Sequence, residues 1–127
     1  MTIAGIIALL LAVALHVFIF YLESFAWTTR ALPVFGMSRE SAEQTKEMAY
    51  NQGFYNLFLA IIAAAGVLAH FAGAPAVGLA LMLAGTGSML AAAAVLFITS
   101  PDKRSAAIKQ GAFPLLAVLL LALGATL

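Results

Sequence analysis

Cysteine is absent from the chain, and with it go disulfides, thiolate nucleophiles, zinc-cysteine sites and haem-thiolate ligation. Charge is nearly absent as well. Asp, Glu, Lys and Arg make up 9% of the 127 residues, against 65% hydrophobic, which leaves too little polar surface to cover a water-soluble globule. A net charge of +1 offers no basic field to a nucleic acid, so nucleic acid is excluded as a partner. His16 has no second histidine or carboxylate at ligand spacing, and neither a metal nor a cofactor is expected.

What is there is apolar and long. A bilayer core of about 30 Å needs roughly 20 apolar residues per helix, and the chain holds four such stretches with little left over. The expected fold is all-α: a polytopic membrane protein folded as a single antiparallel four-transmembrane-helix bundle over residues 1–127. Span one, about residues 3–29, lacks the basic leader and the processing site of a cleavable signal peptide and is expected to be retained. "ALPVFGM" then reads as a turn or re-entrant segment, and Ser38 as the N-cap of an amphipathic cytoplasmic approach, residues 38–49. That approach runs without a breaker into span two, about 50–71, which "AGAP" ends in a tight hairpin.

Span three, about 76–99, is rich in small residues. Ala84, Ser88 and Ala92 recur at every fourth position, as do Gly87 and Ala91, and such faces permit close helix contact. Ser100 is placed to cap the next helix, with Pro101 at its first position. Span four, about 105–126, contains Pro114, which leaves the carbonyl of Gln110 without its helical partner and predicts a kink.

Orientation follows from the basic residues. Arg30, Arg39 and Lys46 lie between spans one and two, and Lys103, Arg104 and Lys109 lie between or just inside spans three and four. The connection between spans two and three has none. By the positive-inside rule the basic side is cytoplasmic, which places both termini outside and the protein in a bacterial inner membrane.

Polar residues collect near one depth. Counted at about 1.5 Å per residue, Glu23 lies roughly 10 Å inside Arg30, Asn51, Tyr55 and Asn56 roughly 8 to 15 Å inside Lys46, and Gln110 roughly 9 Å inside Arg104. His16, Phe20, Glu23 and Trp27 differ by four, three and four residues and form one stripe on span one. In "NQGFYN", Asn51 pairs with Tyr55 and Gln52 with Asn56 at i,i+4, while Gly53 lets a neighbouring backbone or ligand approach. A carboxylate inside a bilayer is costly, so Glu23 is expected to be paired, hydrated or protonated. The candidate ligand-binding residues are His16, Glu23, Trp27, Asn51, Gln52, Tyr55, Asn56 and Gln110, with Glu23 the candidate catalytic group. The plainer alternative is that these groups are interhelical glue, with Trp27 and Tyr50 in the interfacial aromatic belt.

"HVFIFYLESFAWTT", "VFGM", "YNQGFYNLFLA" and "QGAFPLLA", in this order over essentially the whole chain, resemble the small bacterial membrane proteins grouped as domain of unknown function 1304. The resemblance implies a four-helix membrane protein whose motif residues here are His16, Glu23, Trp27, Asn51, Gln52, Gly53, Tyr55, Asn56 and Gln110. It implies no established reaction. Three functions fit the residues: a site for a small lipophilic or amphiphilic molecule open to the cytoplasmic leaflet, a proton-coupled small-molecule transporter, or a structural or accessory protein with no ligand. The expected partners are membrane lipid, such a ligand, and further copies of the chain in a homo-oligomer docked through span three.

Overall fold

The structure, a computed structural model, describes residues 3–127, and nearly all of them are helical. The helices are α1 (Ile3–Phe25), α2 (Ala31–Phe35), α3 (Arg39–Phe71), α4 (Pro75–Thr99) and α5 (Arg104–Thr126), with a 3₁₀ turn at Pro101–Lys103 leading into α5. No strand occurs among the described residues, and four helices are long and apolar enough to cross a membrane. The architecture is the expected all-α four-helix bundle.

α1, α3, α4 and α5 form a ring in which α1 and α4, diagonally opposed, each pack on both α3 and α5. Gly5 near the start of α1 meets Leu120 and Leu121 near the end of α5, and Gly53 of α3 meets Phe20 and Ser24 near the end of α1. Neighbours therefore run antiparallel. The core they enclose is built largely from small residues, Ala8, Ala12, Ala60, Ala63 and Ala117, filled in by Leu9, Met82, Met89 and Leu121. Larger apolar residues, among them Ile7, Leu10, Phe18, Phe58, Ile61 and Leu119, are turned outward. In water such a surface would aggregate; against lipid tails it is the stable arrangement, because helices in a bilayer associate by close packing of small residues. This is a multi-pass membrane protein.

Small residues on α4 also pack closely within the chain, on a different face from the four-residue repeat. Ala84, Ser88, Ala91 and Ala92 are exposed, and a Cβ at Gly87 would meet nothing within 4 Å. The packed face is Gly78, Met82, Gly85, Thr86, Met89 and Ala93. There α3 and α4 come so near that a Cβ at Gly66 would sit 2.6 Å from the Met82 backbone nitrogen. The larger side chains Met82 and Met89 share this face with the glycines, which is why a search for small residues alone does not find the face packed within the chain.

The helix ends at the α1–α3 and α4–α5 connections also depart from expectation in detail. α1 stops at Phe25, four residues short of the expected boundary, and residues 26–30 turn. The Ala26 carbonyl accepts the Ala31 N–H at 2.9 Å and the Thr29 hydroxyl at 3.4 Å, local bonds that compete with helix continuation. "ALPVFGM" supplies the single-turn helix α2, ended by Gly36 at φ 64°. Ser38 caps α3 as expected, its hydroxyl accepting the Ser41 N–H at 3.1 Å. Ser100 does not cap with its side chain; its carbonyl instead accepts the Lys103 N–H at 2.9 Å, closing the 3₁₀ turn. Pro114 is buried inside α5.

α3 runs unbroken for 33 residues, about 50 Å at a rise of 1.5 Å per residue. That exceeds a hydrocarbon core of about 30 Å, so its charged first three turns extend past the apolar spans and wall one side of the site.

Candidate functional site

Glu23 sits in the last turn of α1, buried at 5% exposure. Its Oε2 accepts the Asn56 side-chain N–H at 2.7 Å, across the α1–α3 contact. The two helices come this close because Gly53 has no side chain: a Cβ there would run into the Ser24 hydroxyl and lie 3.0 Å from the Phe20 carbonyl oxygen. Ser24 in turn donates its hydroxyl to the Tyr50 carbonyl at 2.8 Å. The carboxyl is thus held in place by packing as well as by its amide partner.

Glu23 and Asn56 face a cleft of about 350 Å³. α3 supplies a wall of Ser41, Thr45, Met48, Ala49, Gln52 and Asn56, and Ala92 and Leu96 of α4, Lys103 and Gln110 stand across from it. Trp27, Phe35 and Met37, from the α1–α3 connection, complete the lining. Ser41 to Asn56 spans fifteen residues, roughly 22 Å along the helix. The Glu23–Asn56 pair, Ala92 and Gln110 mark its deep end; Met37, Ser41 and Lys103 mark its mouth.

Trp27 fastens the connection to the wall. Its indole N–H donates to the Thr45 hydroxyl at 3.0 Å, and its ring lies 5.4 Å from that of Phe35. Thr45 donates onward to the Ser41 carbonyl at 3.1 Å. α2 and α3 are thereby tied together over the cleft.

Five of the residues selected from the sequence meet here, Glu23, Trp27, Gln52, Asn56 and Gln110. The other three lie elsewhere. His16 is in the core at 2% exposure, two turns from Glu23, with its Nδ1 at 2.9 Å from the Ala12 carbonyl; that bond places the proton on Nδ1. Asn51 and Tyr55 are exposed on α3, outside the cleft. One residue is a rotation of about 100° on a helix, enough to separate the Asn51–Tyr55 pair from Gln52–Asn56. Sequence reading missed Ser41, Thr45 and Met48, although a signal was present: with Gln52 and Asn56 they continue one face at helical spacing back through a segment that looks merely solvated.

Chemically, the cleft offers one carboxyl group, two primary amides beyond Asn56, and the Lys103 ammonium near its mouth. Among the described residues no group of three or more His, Asp or Glu side chains is arranged to hold a metal ion.

A family model described as protein of unknown function (DUF1304) matches residues 10–122. The chain belongs to this family. The matched region contains every cleft-lining residue of this DUF1304 member. No curated protein and no solved structure matches the chain.

Proposed function

We propose that this DUF1304 protein binds a small lipophilic or amphiphilic molecule in the cleft, from the cytoplasmic side of a bacterial inner membrane, with both termini outside. The observation that carries this reading is the convergence of Glu23, Gln52, Asn56 and Gln110, from three helices, at one end of a cleft whose remaining lining includes Trp27, Phe35, Met37, Met48 and Leu96. A few polar groups at a fixed place among apolar and aromatic walls is the usual make-up of a small-molecule site. Interhelical glue accounts for the Glu23–Asn56 bond alone. It leaves Gln52 and Gln110 facing the same space without a reason. The positive-inside rule supplies the orientation, since Arg30, Arg39, Lys46, Lys103, Arg104 and Lys109 all lie in the half of the bundle that holds the cleft.

Native mass spectrometry of the gently extracted protein tests the reading. A bound small molecule is expected on the wild type and is expected to be lost in Ala92→Leu, which narrows the cleft and leaves every polar lining residue unchanged. A chain that carries no bound molecule, and whose unfolding midpoint no added amphiphile raises, would leave the accessory role as the better account. A proton-coupled transporter would in addition move its ligand across vesicles at a rate set by the pH difference.

A further inference from the structure

The cleft also carries information about the charge of its occupant, on the reading that it is a ligand site. A carboxylate has about four acceptor positions. Glu23 uses one, on Oε2, for the Asn56 amide; among the described residues Oε1 receives no donor, and no basic group lies within 4.0 Å of the carboxyl. A buried carboxyl that stays ionised is ordinarily matched by a positive partner, because an unpaired charge in a low-dielectric site is costly. Here the one hydrogen-bonding partner among the described residues is neutral, and Glu23 itself lines the cleft.

The cleft's own positive charge is at the other end. Lys103 lines the mouth, seven residues before Gln110 in the chain. An anionic amphiphile would be held there by its head and leave Glu23 unmet. A cationic head is repelled from the mouth and attracted to the deep end, where Gln52 and Gln110 add amide oxygens as further acceptors. A hydroxyl has one proton to give and no charge; a primary ammonium has three and supplies the missing counter-charge. Trp27, on the same path, offers a ring face that tolerates or favours a cation.

We propose that the cleft selects amphiphiles with a primary ammonium head, seated on Glu23 Oε1, with the apolar body lying toward the mouth along Trp27, Phe35 and Met48. Trp27 is the only tryptophan in the chain, so its emission reports occupancy directly. The test titrates the purified full-length protein in a non-ionic detergent with n-octylamine, n-octanol and octanoate, whose equal chains make their apolar contributions comparable. Octylamine is expected to change Trp27 emission saturably, with octanol and octanoate at least about tenfold weaker, the factor a charge-assisted hydrogen bond supplies. Glu23→Gln is expected to weaken octylamine by about tenfold and to leave octanol unchanged. If octanol or octanoate saturates the wild type as tightly as octylamine, the ammonium assignment is overturned while the ligand site stands. If none of the three saturates, both are overturned. The wild-type comparison decides the matter even where Glu23→Gln fails to fold.

Discussion

Two glycine-to-alanine substitutions in the α3–α4 pair should move stability in opposite directions. At Gly66 the new methyl would sit 2.6 Å from the Met82 nitrogen, 2.8 Å from the Gly78 carbonyl oxygen and 2.8 Å from Met82 Cγ. Two of those atoms are backbone, so relief requires the helices to part by about 1 Å to reach ordinary contact, and overpacking of this kind costs about 3 kcal/mol at the upper end of its usual range. The gain in helix propensity offsets about 1 kcal/mol, leaving a net loss of about 2 kcal/mol. At Gly87, a Cβ meets nothing within 4 Å, only the propensity gain applies, and stability should rise by about 0.5 to 1 kcal/mol. Reversible unfolding of both variants in mixed micelles, followed by far-ultraviolet circular dichroism, measures the two changes side by side. A Gly66→Ala midpoint equal to or above wild type would refute the close-packed α3–α4 interface, whereas loss of stability at Gly87 would show that the outward face of α4 is covered by something else.

Further outcomes follow from the site. A double-mutant cycle between Glu23→Gln and Asn56→Leu should return a coupling of about 1.5 kcal/mol, high for a membrane hydrogen bond because the contact is short and can be charge-assisted; the same cycle with Asn51→Leu should return none. Thr45→Val removes the acceptor of the Trp27 indole and should cost about 1 kcal/mol, with a change in Trp27 emission that unfolding curves alone would not reveal. Because the chain has no native cysteine, single-cysteine variants report orientation cleanly: Ala74→Cys in the α3–α4 turn should react with an impermeant maleimide in intact cells, and Lys46→Cys only once the membrane is opened. Labelling in the reverse pattern would place the cleft on the outer face.

Legibility of the sequence divides along physical lines. The count of membrane-crossing helices is set by hydropathy over some 20 residues and does not depend on neighbours, so four spans are evident without coordinates. The same holds for Ser38, because an N-cap is a contact within one turn. Which face of α4 packs inward is a property of two helices together. Ala84, Ser88 and Ala92 are small, as are Gly78 and Gly85, but a methionine can share a packed face with glycine when the facing helix supplies Gly66 and Ala63 to receive it. Nothing within α4 records that.

The same distinction explains the site. Glu23, Gln52, Asn56 and Gln110 stand out because amides and acids are rare in apolar runs and therefore carry information one residue at a time. Asn51 and Tyr55 stand out equally, and only the register of α3 against α1, fixed at Gly53, turns them away while presenting Gln52 and Asn56. Thr45, Ser41 and Met48 do not stand out, because in a hydrated segment such residues need no explanation. They join the cleft because α3 outruns the bilayer by about 20 Å and the short connection through α2 folds back against it, with Trp27 bonded to Thr45. The cleft is therefore placed where a long helix leaves the apolar layer, the depth at which a carboxyl group can stay close to water and still be walled by apolar side chains. On the proposed reading of the cleft as a ligand site, that depth suits a molecule with one polar end and one apolar end better than a wholly soluble or a wholly lipid-like one.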